Sequence, residues 1–408
     1  MNILFITLCN FSSIHEKNIY TDLLRQFSQA GHQISVMSPD EGKTDEQVRV
    51  ITENNVTIYK IKVGVIQKTN VIHKGINMLR MQSAYKKAYS TYLDKGHIDV
   101  VLFSTPPITL DKVLNYIKRR KKVFVYLLLK DIFPQNAVDL QMFSARGLIY
   151  RYFRYREKQI YKVSDYIGCM SQANVDYVLK HNSYLSLVNV GESPNCLEIG
   201  AESDISPVER KYIREQYGIP VEKRVFIYGG NLGKPQDIPY IIECLRAVGD
   251  ESQNYFIICG SGTEYHKLER FIKDEGSENV KLLSSLPRQA YDDLVKACDV
   301  GLIFLDHRFT IPNFPSRILS YMECGLPILA STDKHSDVGQ IIEQGEFGWW
   351  CSSDSVEGFV QLIAEIDKFS DEEIEKKGKN GRRFLEQNYD VKVQYAQILE
   401  VVNGKERV

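Results

Sequence analysis

Long hydrophobic runs, targeting signals and closely spaced cysteines are all missing from this 408-residue sequence. No apolar run reaches the roughly 18–20 residues that a bilayer-spanning helix needs. The N-terminal MNILFITLCNFSS carries no basic n-region and no small-residue cleavage site. We therefore predict that the chain begins with a buried strand rather than a signal peptide, and cytoplasmic residence is the default expectation.

The eight cysteines do not form the pattern of a metal site or of a disulfide framework. No two of them make a CxxC pair, and no histidine cluster accompanies them. Cys169 and Cys259 stand inside apolar, strand-like runs. We therefore predict reduced thiols that pack as small hydrophobic side chains.

Charge is balanced over the whole chain but not along it. The composition, with 43% hydrophobic and 25% charged residues, excludes collagen and low-complexity disorder, and the length predicts two or three domains. The formal net charge of -1 combines 26 basic and 17 acidic residues in 1–200 with 25 basic and 35 acidic residues in 201–408. A basic half and an acidic half indicate two domains with different partners.

Basic charge is concentrated in KRRKK at 118–122 and in FSARGLIYRYFRYREKQIYK at 143–162. In the second stretch aromatic residues alternate with arginines and lysines, and Glu157 is the single acid. Three interpretations stay open: an aromatic stripe that packs inside the protein, a surface that meets anionic lipid or glycolipid, and a nucleic-acid site. The acidic second half argues against the third, so no nucleic acid is expected as a partner.

Strand-like apolar runs alternate with amphipathic, helix-like stretches along the whole chain. In the first half we predict strands at 2–7, 33–38, 56–62, 99–104, 122–129 and 166–171. In the second half we predict strands at 225–230, 254–262, 279–285, 300–305 and 327–331. This alternation predicts parallel sheets buried on both faces, in two doubly wound α/β domains that face each other. The boundary is expected near 193–207, where no clear period is present.

Four segments of the second half fall at the carboxyl ends of predicted strands, where α/β domains bind ligands. GGNLGKPQD (229–237) and GSG (260–262) let a ligand approach the main chain, although both also suit an ordinary tight turn. LPRQAYDDL (286–294) leads from a strand into a helix. PNFPSRILSYMECGLPILA (312–330) places a hydroxyl and a guanidinium at a helix start, where free N–H groups favour an anion.

In their order and spacing these segments resemble the nucleotide-sugar domain of GT-B glycosyltransferases, most closely family 4, a retaining group that assembles bacterial surface polysaccharides. The matching runs are GGNLG (229–233), ICGSG (258–262), NVKLLSSLPRQAYDDLVKACDVGLIFL (279–305) and FPSRILSYMECGLPILA (314–330), and the first half agrees in its N-terminal strand, KDIFPQNAV (130–138) and SPNCLE (193–198). The resemblance covers nearly the whole chain. It implies the GT-B fold, with two doubly wound, Rossmann-like domains and a cleft between them.

The resemblance also implies a role for each half of the chain. Residues 1–200 would form the acceptor-binding domain, onto which a C-terminal helix at 390–408 would cross back, and residues 201–389 would bind the nucleotide-sugar. The implied donor is a nucleoside-diphosphate sugar, most often UDP-linked. The implied acceptor is a glycan or a polyprenyl-pyrophosphate-linked glycan in capsule, exopolysaccharide or O-antigen assembly.

The chain departs from the family pattern at several positions. Two glutamates eight positions apart, one of which holds the ribose in the family, are replaced by Pro312 and Ser320. The usual arginine of the phosphate loop is Asn231, and the usual lysine downstream is replaced around Gln236. The glycine pair after the first strand is absent, because residues 10–17 read NFSSIHEK. A branch of the family with Pro-Ser-Lys or Pro-Ser-Arg before the helix also lacks the glutamates, and this chain looks like that branch.

In GT-B enzymes, basic side chains and helix N-termini neutralise the leaving diphosphate without a metal. No DxD motif is present, and we expect neither a metal nor a cofactor. The resemblance implies that the departing phosphate takes the acceptor proton, so no dedicated protein base is required. Catalytic contacts are predicted for Arg317, Lys234, Asp131 and His15. Substrate contacts are predicted for Gly229, Gly230, Asn231, Gly233, Gly260, Ser261, Gly262, Leu286, Arg288, Asn313, Phe314, Pro315, Ser316 and Ser320.

Alternatives stay open for individual residues and for the function. Asp131 also suits a helix cap or a loop carboxylate, His15 an ordinary loop histidine and Arg288 a solvated side chain. The basic first half suits a lipid-linked acceptor at the inner face of the cell membrane, with peripheral, electrostatic association. A catalytically silent, glycosyltransferase-like subunit would account for the missing glutamates. A GT-B sugar-nucleotide epimerase would need acids and a histidine in the cleft, and the matched motifs offer few.

Overall fold

The computed structural model describes residues 1–40, 42, 46–63, 71–201, 205–249 and 253–405, without the side chains of 71–79 and 405. The chain divides into two compact units. Unit 1 comprises Met1–Glu198 and Val391–Val408, and unit 2 comprises Ile199–Asp390. Residues 202–204 of the expected boundary segment, and 406–408 of the expected C-terminal helix, lie outside the described residues.

The described residues form the following strands and helices. The strands are β1 (Asn2–Ile6), β2 (Gln33–Asp40), β3 (Val48–Glu53), β4 (Val56–Lys62), β5 (Val100–Ser104), β6 (Phe124–Leu129), β7 (Tyr166–Cys169), β8 (Val190–Glu192), β9 (Arg224–Asn231), β10 (Asn254–Ser261), β11 (Val280–Leu283), β12 (Val300–Phe304), β13 (Ile328–Thr332) and β14 (Gly348–Ser352). The helices are α1 (Ile19–Gln29), α2 (Val71–Ala88), α3 (Asp111–Lys121), α4 (Gln135–Asp139), α5 (Leu148–Val163), α6 (Gln172–His181), α7 (Pro207–Gln216), α8 (Ile238–Val248), α9 (Tyr265–Glu275), α10 (Arg288–Lys296), α11 (Arg317–Glu323), α12 (Val338–Gly345), α13 (Val356–Ile366), α14 (Asp371–Asn388) and α15 (Val391–Lys405). Among these helices, none is long and apolar enough to cross a membrane.

Unit 1 contains a sheet of eight strands in the order β3-β4-β2-β1-β5-β6-β7-β8. Its strands pair in parallel except at one edge, where β3 runs antiparallel to β4. The predicted wholly parallel sheet is therefore wrong at this edge. β3 (VRVITE) has no buried residue, and Asn54, with φ 53°, begins the two-residue turn into β4. Such a turn needs a residue that tolerates positive φ, and asparagine does.

The core of unit 1 lies between the sheet and the helices that cover it. The side chain of Asn18 caps α1 by accepting the N–H groups of Tyr20 and Thr21, at 2.9 and 3.0 Å. Leu23, Leu24 and Phe27 of α1 are buried in the core, as the helical spacing predicts. The C-terminal helix α15 belongs to this unit, and its Val391, Ile398 and Val402 join the same core.

Unit 2 contains a sheet of six parallel strands in the order β11-β10-β9-β12-β13-β14. Its core packs Phe226 against Phe256, with ring centroids 5.2 Å apart, beneath α8 and α13. The predicted α/β class is confirmed, because both sheets are parallel-rich and each predicted strand forms. All eight cysteines are free thiols, and Cys169 and Cys259 are buried as predicted.

Candidate functional site

The carboxyl ends of β9 and β10 form the centre of the candidate site in unit 2. We call residues 229–237 the glycine loop. The two strands stay in register to their last residues, with Gly260 opposite Gly230 and Ser261 opposite Asn231. The Leu232 N–H then donates to the Ser261 carbonyl at 2.9 Å, so the loop is held against the turn that follows β10.

Close packing explains three glycines of this region, two of them against main-chain atoms and one against a side chain. A Cβ on Gly260 would lie 1.9 Å from the Gly230 carbonyl oxygen, and one on Gly262 would lie 2.2 Å from the Leu232 carbonyl oxygen. A Cβ on Gly229 would lie 1.8 Å from the Tyr291 hydroxyl. The absence of a side chain at these positions is thus required by the fold itself. The predicted substrate contacts of Gly229, Gly260 and Gly262 stay predictions.

Arg317 begins α11 beside the glycine loop. Its Cζ lies 4.9 Å from the centroid of the Tyr291 ring, and its Nη2 would lie 3.8 Å from a Cβ placed on Gly230. Within the described part of the chain, no ion pair or hydrogen bond engages this guanidinium. Because its stacking on an aromatic ring leaves the donors available, Arg317 is a cation in place for an incoming anion.

Three buried tyrosines surround this guanidinium, and two of them, Tyr228 and Tyr321, also bind the main chain around the glycine pair. We call Arg317, Tyr228, Tyr291 and Tyr321 the Arg317 cluster. Tyr321 donates to the Ile227 carbonyl at 2.9 Å and accepts the Gly229 N–H at 3.1 Å. Tyr228 donates to the Asn231 carbonyl at 2.7 Å. Burial raises the pKa of all three phenols, so they stay neutral and supply polar contacts without negative charge.

Two neutral residues occupy the places where the resemblance leads one to expect basic residues. The Asn231 amide donates to the Gln236 side-chain oxygen at 3.0 Å, and the Gly233 N–H donates to the same oxygen at 3.3 Å. The two replacements therefore interact with each other and close the loop internally. Lys234 lies exposed in the same loop, with no ion pair among the described residues. Arg317 and Lys234 are thus two cations at this edge of the sheet that make no ion pair among the described residues.

The other predicted residues of unit 2 have local contacts that account for them. Arg288 is exposed at the start of α10 and pairs with Asp292 at 3.1 Å, which agrees with the alternative of a solvated side chain. Phe314 packs on Tyr389, with centroids 5.6 Å apart, and the Asn313 N–H donates to Ser336 at 2.9 Å. The remaining predicted residues are half-buried or exposed: Ser261, Leu286, Pro315, Ser316 and Ser320. Because α11 has only seven residues, its backbone dipole adds little to the charge of Arg317.

Asp237, Asp306 and His307 form a cluster that the sequence analysis missed. Their ligand atoms lie within 4.8 Å of one another, next to the glycine loop. Asp306 is fully buried and accepts two hydrogen bonds from Arg308 Nε, at 2.9 and 3.1 Å. Burial and the neighbouring Asp306 raise the pKa of Asp237. Since a guanidinium already compensates Asp306, the cluster is a poor cation site.

A separate groove of about 740 Å³ opens in unit 2 at the amino ends of the strands, away from the glycine loop. Arg210 and Arg214 line it, and both pair with Asp299, Arg214 at 2.7 Å. Asp299 also accepts the Val225 N–H at the start of β9. These arginines are committed to the fold, which distinguishes them from Arg317.

The two predicted catalytic residues of unit 1 lie in different environments. His15 is exposed in the loop after β1, and its backbone N–H donates to the Ser13 hydroxyl at 3.1 Å. Asp131 follows β6 and accepts both hydrogen bonds from the Asn136 amide, each at 2.8 Å. Burial raises the pKa of Asp131 to about 6. Asp131 is therefore a loop carboxylate and not a helix cap, since α4 begins at Gln135.

Comparison with known families identifies the part of the chain that carries the site. Residues 209–384 match the family described as glycosyl transferases group 1. This range holds the glycine loop, α10 and α11. The matched range lies within unit 2, so this unit is similar to the group 1 glycosyltransferases.

Relatives and solved structures agree with this assignment. This glycosyltransferase is 25% identical over 329 residues to the protein named "Probable glycosyltransferase WbjE" of Pseudomonas aeruginosa, covering 79% of this chain and 78% of that one. It is 26% identical over 158 residues, or 38% of each chain, to the protein named "Putative colanic acid biosynthesis glycosyl transferase WcaI" of Escherichia coli (strain K12). HepE of Anabaena, solved in complex with UDP and glucose, has the same fold, with a TM-score of 0.70, 16% identity and coverage of 99% and 100% of the two chains.

The predicted GT-B family 4 resemblance and the predicted enzyme class are thereby confirmed. The matched family region lies wholly in unit 2, so it does not reach His15 or Asp131 of this glycosyltransferase. Sequence reasoning selected Arg317 and the glycines but not the tyrosines around them. A tyrosine directly before the glycine pair, in VFIYGG, was the one available signal for Tyr228.

We expect Asp131→Asn to remove a pH dependence from the stability of unit 1. An acid whose pKa is raised on folding binds its proton more tightly in the folded state, so stability falls as pH rises from about 4 to about 6. At roughly 1.4 kcal/mol per pH unit, the variant should gain at most about 3 kcal/mol over wild type above this window. Denaturant unfolding of both proteins between pH 4 and 8 measures the difference.

Asp94→Asn serves as the control of opposite sign. A hydrogen bond from Arg120 lowers the pKa of Asp94, so its contribution is lost as pH falls rather than as pH rises. If Asp131→Asn and wild type show parallel curves of stability against pH from pH 4 to 8, folding does not raise the pKa of Asp131.

Proposed function

We propose that this glycosyltransferase moves a sugar from a UDP-linked donor to a glycan or lipid-linked acceptor in the assembly of a bacterial surface polysaccharide. The names of WbjE and WcaI, and the UDP and glucose bound to HepE, support this choice of chemistry. The observation that carries the proposal is the unpaired Arg317 guanidinium beside the glycine loop.

Arg317 is the group in unit 2 best placed to stabilise the leaving diphosphate. Breaking the bond between sugar and phosphate leaves additional negative charge on the nucleotide, and donors fixed in advance lower the free energy of that state. The loop itself has few N–H groups to give, because those of Leu232 and Gly233 are taken by the Ser261 carbonyl and by Gln236. The side chains of Arg317 and Lys234 therefore carry the charge neutralisation.

Retention of configuration and independence from a metal belong to the same proposal. In that reaction the departing phosphate accepts the proton of the acceptor hydroxyl, and no protein base is needed. The half-buried Ser320 would offer the ribose a neutral hydrogen bond in place of a carboxylate. A neutral contact is weaker than a charged one, so we expect modest donor affinity.

A donor-hydrolysis screen tests the proposal. The full chain is incubated with UDP-, GDP- and dTDP-sugars, with and without EDTA, and the released nucleotide is measured. We expect release from a UDP-sugar that EDTA does not reduce. Release that requires a divalent ion would overturn the metal-free mechanism and point to Asp237, Asp306 and His307. Absence of both release and nucleotide binding would favour the catalytically silent subunit.

A further inference from the structure

Helix α5 exposes large apolar side chains at its N-terminal half. Leu148 is 80% exposed, Ile149 51%, Tyr152 45% and Tyr155 58%. Leu148, Tyr152 and Tyr155 follow one another at helical spacing, so they form a single stripe that points away from the core. Met142, in the segment before the helix, is 62% exposed. The aromatic residues of 143–162 are therefore only partly accounted for by packing inside unit 1.

The basic residues near this stripe fall into two groups. Arg154 pairs with Glu157, Arg156 with Asp111 and Arg120 with Asp94, so these three belong to the fold. A second group is exposed and has no ion pair within the described residues: Lys112, Arg119, Arg146, Arg151 and Lys158. The free cations flank the apolar stripe, and the acids that the described residues place beside them, Asp111 and Glu157, are already paired with arginines. The local surface is therefore strongly positive as well as apolar.

A groove of about 680 Å³ between α3 and α5 joins the two features. Its polar and aromatic lining includes Lys112, Asn115, Tyr116, Arg119, Tyr152 and Tyr155. Lysine and arginine donors face phenol rings across a space that a phosphate-bearing headgroup can enter. Tyrosine prefers the boundary between apolar and aqueous media, and arginine can keep its charge at the headgroups while its stem lies along apolar surface.

We propose that the α3–α5 surface, formed by Lys112, Arg119, Leu148, Ile149, Arg151, Tyr152, Tyr155 and Lys158, docks unit 1 on an anionic phospholipid bilayer. The apolar stripe would enter the headgroup region, and the free cations would bind lipid phosphates. We choose an anionic bilayer because the unpaired cations complement its negative charge and lie beside an apolar stripe. Either the stripe or the cations alone would not require a membrane. The proposal rests on the proposed function in one respect, since a lipid-linked acceptor would lie in that bilayer.

Vesicle sedimentation of the full chain tests the proposal without any need for activity. We expect binding to phosphatidylcholine vesicles that contain phosphatidylglycerol, weakening with added salt, and little binding to phosphatidylcholine alone. Arg119→Gln with Arg151→Gln should lower the partition coefficient roughly 25-fold, at about fivefold for each arginine. Leu148→Ser with Tyr155→Ser should lower it at every salt concentration, because that pair removes the apolar contribution.

Val208→Ser with Tyr212→Ser is the matched control, since these side chains are 79% and 66% exposed on α7 of unit 2. This variant should bind vesicles as wild type does, and thermal unfolding should show all three variants folded. The proposal is overturned if wild type ignores anionic vesicles at low salt, if the control weakens binding equally, or if duplex DNA displaces the vesicles. If the protein hydrolyses a donor but does not bind vesicles, only the docking surface is ruled out. If it binds vesicles but not nucleotide, only the proposed function is ruled out.

Discussion

Arg317→Met is expected to abolish most nucleotide binding while leaving the protein at least as stable as wild type. The guanidinium is half-buried beside Tyr291 and makes no direct ion pair or hydrogen bond among the described residues, with Asp292 only a more distant anion, so its burial costs free energy in the empty protein. A diphosphate would supply the missing partner. Truncating one partner of a hydrogen-bonded charge pair typically costs about 2–5 kcal/mol, so a fall in UDP affinity of about thirtyfold or more is expected here. Calorimetric titration with UDP and thermal unfolding give the two measurements.

Arg317→Lys separates charge from geometry at the same position. Lysine keeps the positive charge but lacks the planar fork that stacks on Tyr291 and binds two oxygens. We expect UDP affinity between that of wild type and Arg317→Met. Unchanged UDP affinity in Arg317→Met would show that the diphosphate does not bind at this residue. A large fall in its stability would show a structural role instead.

Gly260→Ala is expected to cost both stability and UDP affinity. Its Cβ would lie 1.9 Å from the Gly230 carbonyl oxygen, a main-chain atom that cannot turn away as a side chain can. The strands β9 and β10 must separate at their carboxyl ends, which displaces the glycine loop from Arg317. Overpacking of this kind typically costs about 1–3 kcal/mol. Denaturant unfolding and UDP titration measure the two effects.

Gly200→Ala is the matched control for that substitution. A Cβ on Gly200 meets no atom within 4 Å, so this variant should be close to wild type in both measurements. If Gly260→Ala lowers UDP affinity but not stability, the glycine serves ligand contact rather than packing. If it changes neither, the close approach of the two main chains is not required for folding or for binding.

The strands could be predicted because alternating apolar runs report local burial. Three strands and several helices, α14 among them, were not predicted. β3, β8 and β14 (GWWCS) are all edge strands in which few residues are buried. In α14 the packing face is made partly by Gly378, whose Cβ would lie 1.8 Å from the Gly325 carbonyl oxygen. A helix that packs partly through glycine shows a weaker apolar period.

The site was only partly predictable because it depends on contacts between distant segments. Position and residue type pointed to Arg317 as a cation at a helix start. Nothing in the sequence indicated that Tyr228 of β9, Tyr291 of α10 and Tyr321 of α11 would meet around it. Likewise, Asn231 and Gln236 were recognised as separate departures from the family. Their mutual hydrogen bond, which makes them one neutral replacement, is visible only in three dimensions.

The most direct test of the central claim is a crystal structure of the full chain with UDP bound. We predict that the diphosphate lies over the glycine loop, with its oxygens within hydrogen-bond distance of the Arg317 guanidinium and the Tyr291 ring still stacked on that group. A nucleotide seated elsewhere, for example in the groove lined by Arg210 and Arg214 at the opposite edge of the sheet, would contradict the account.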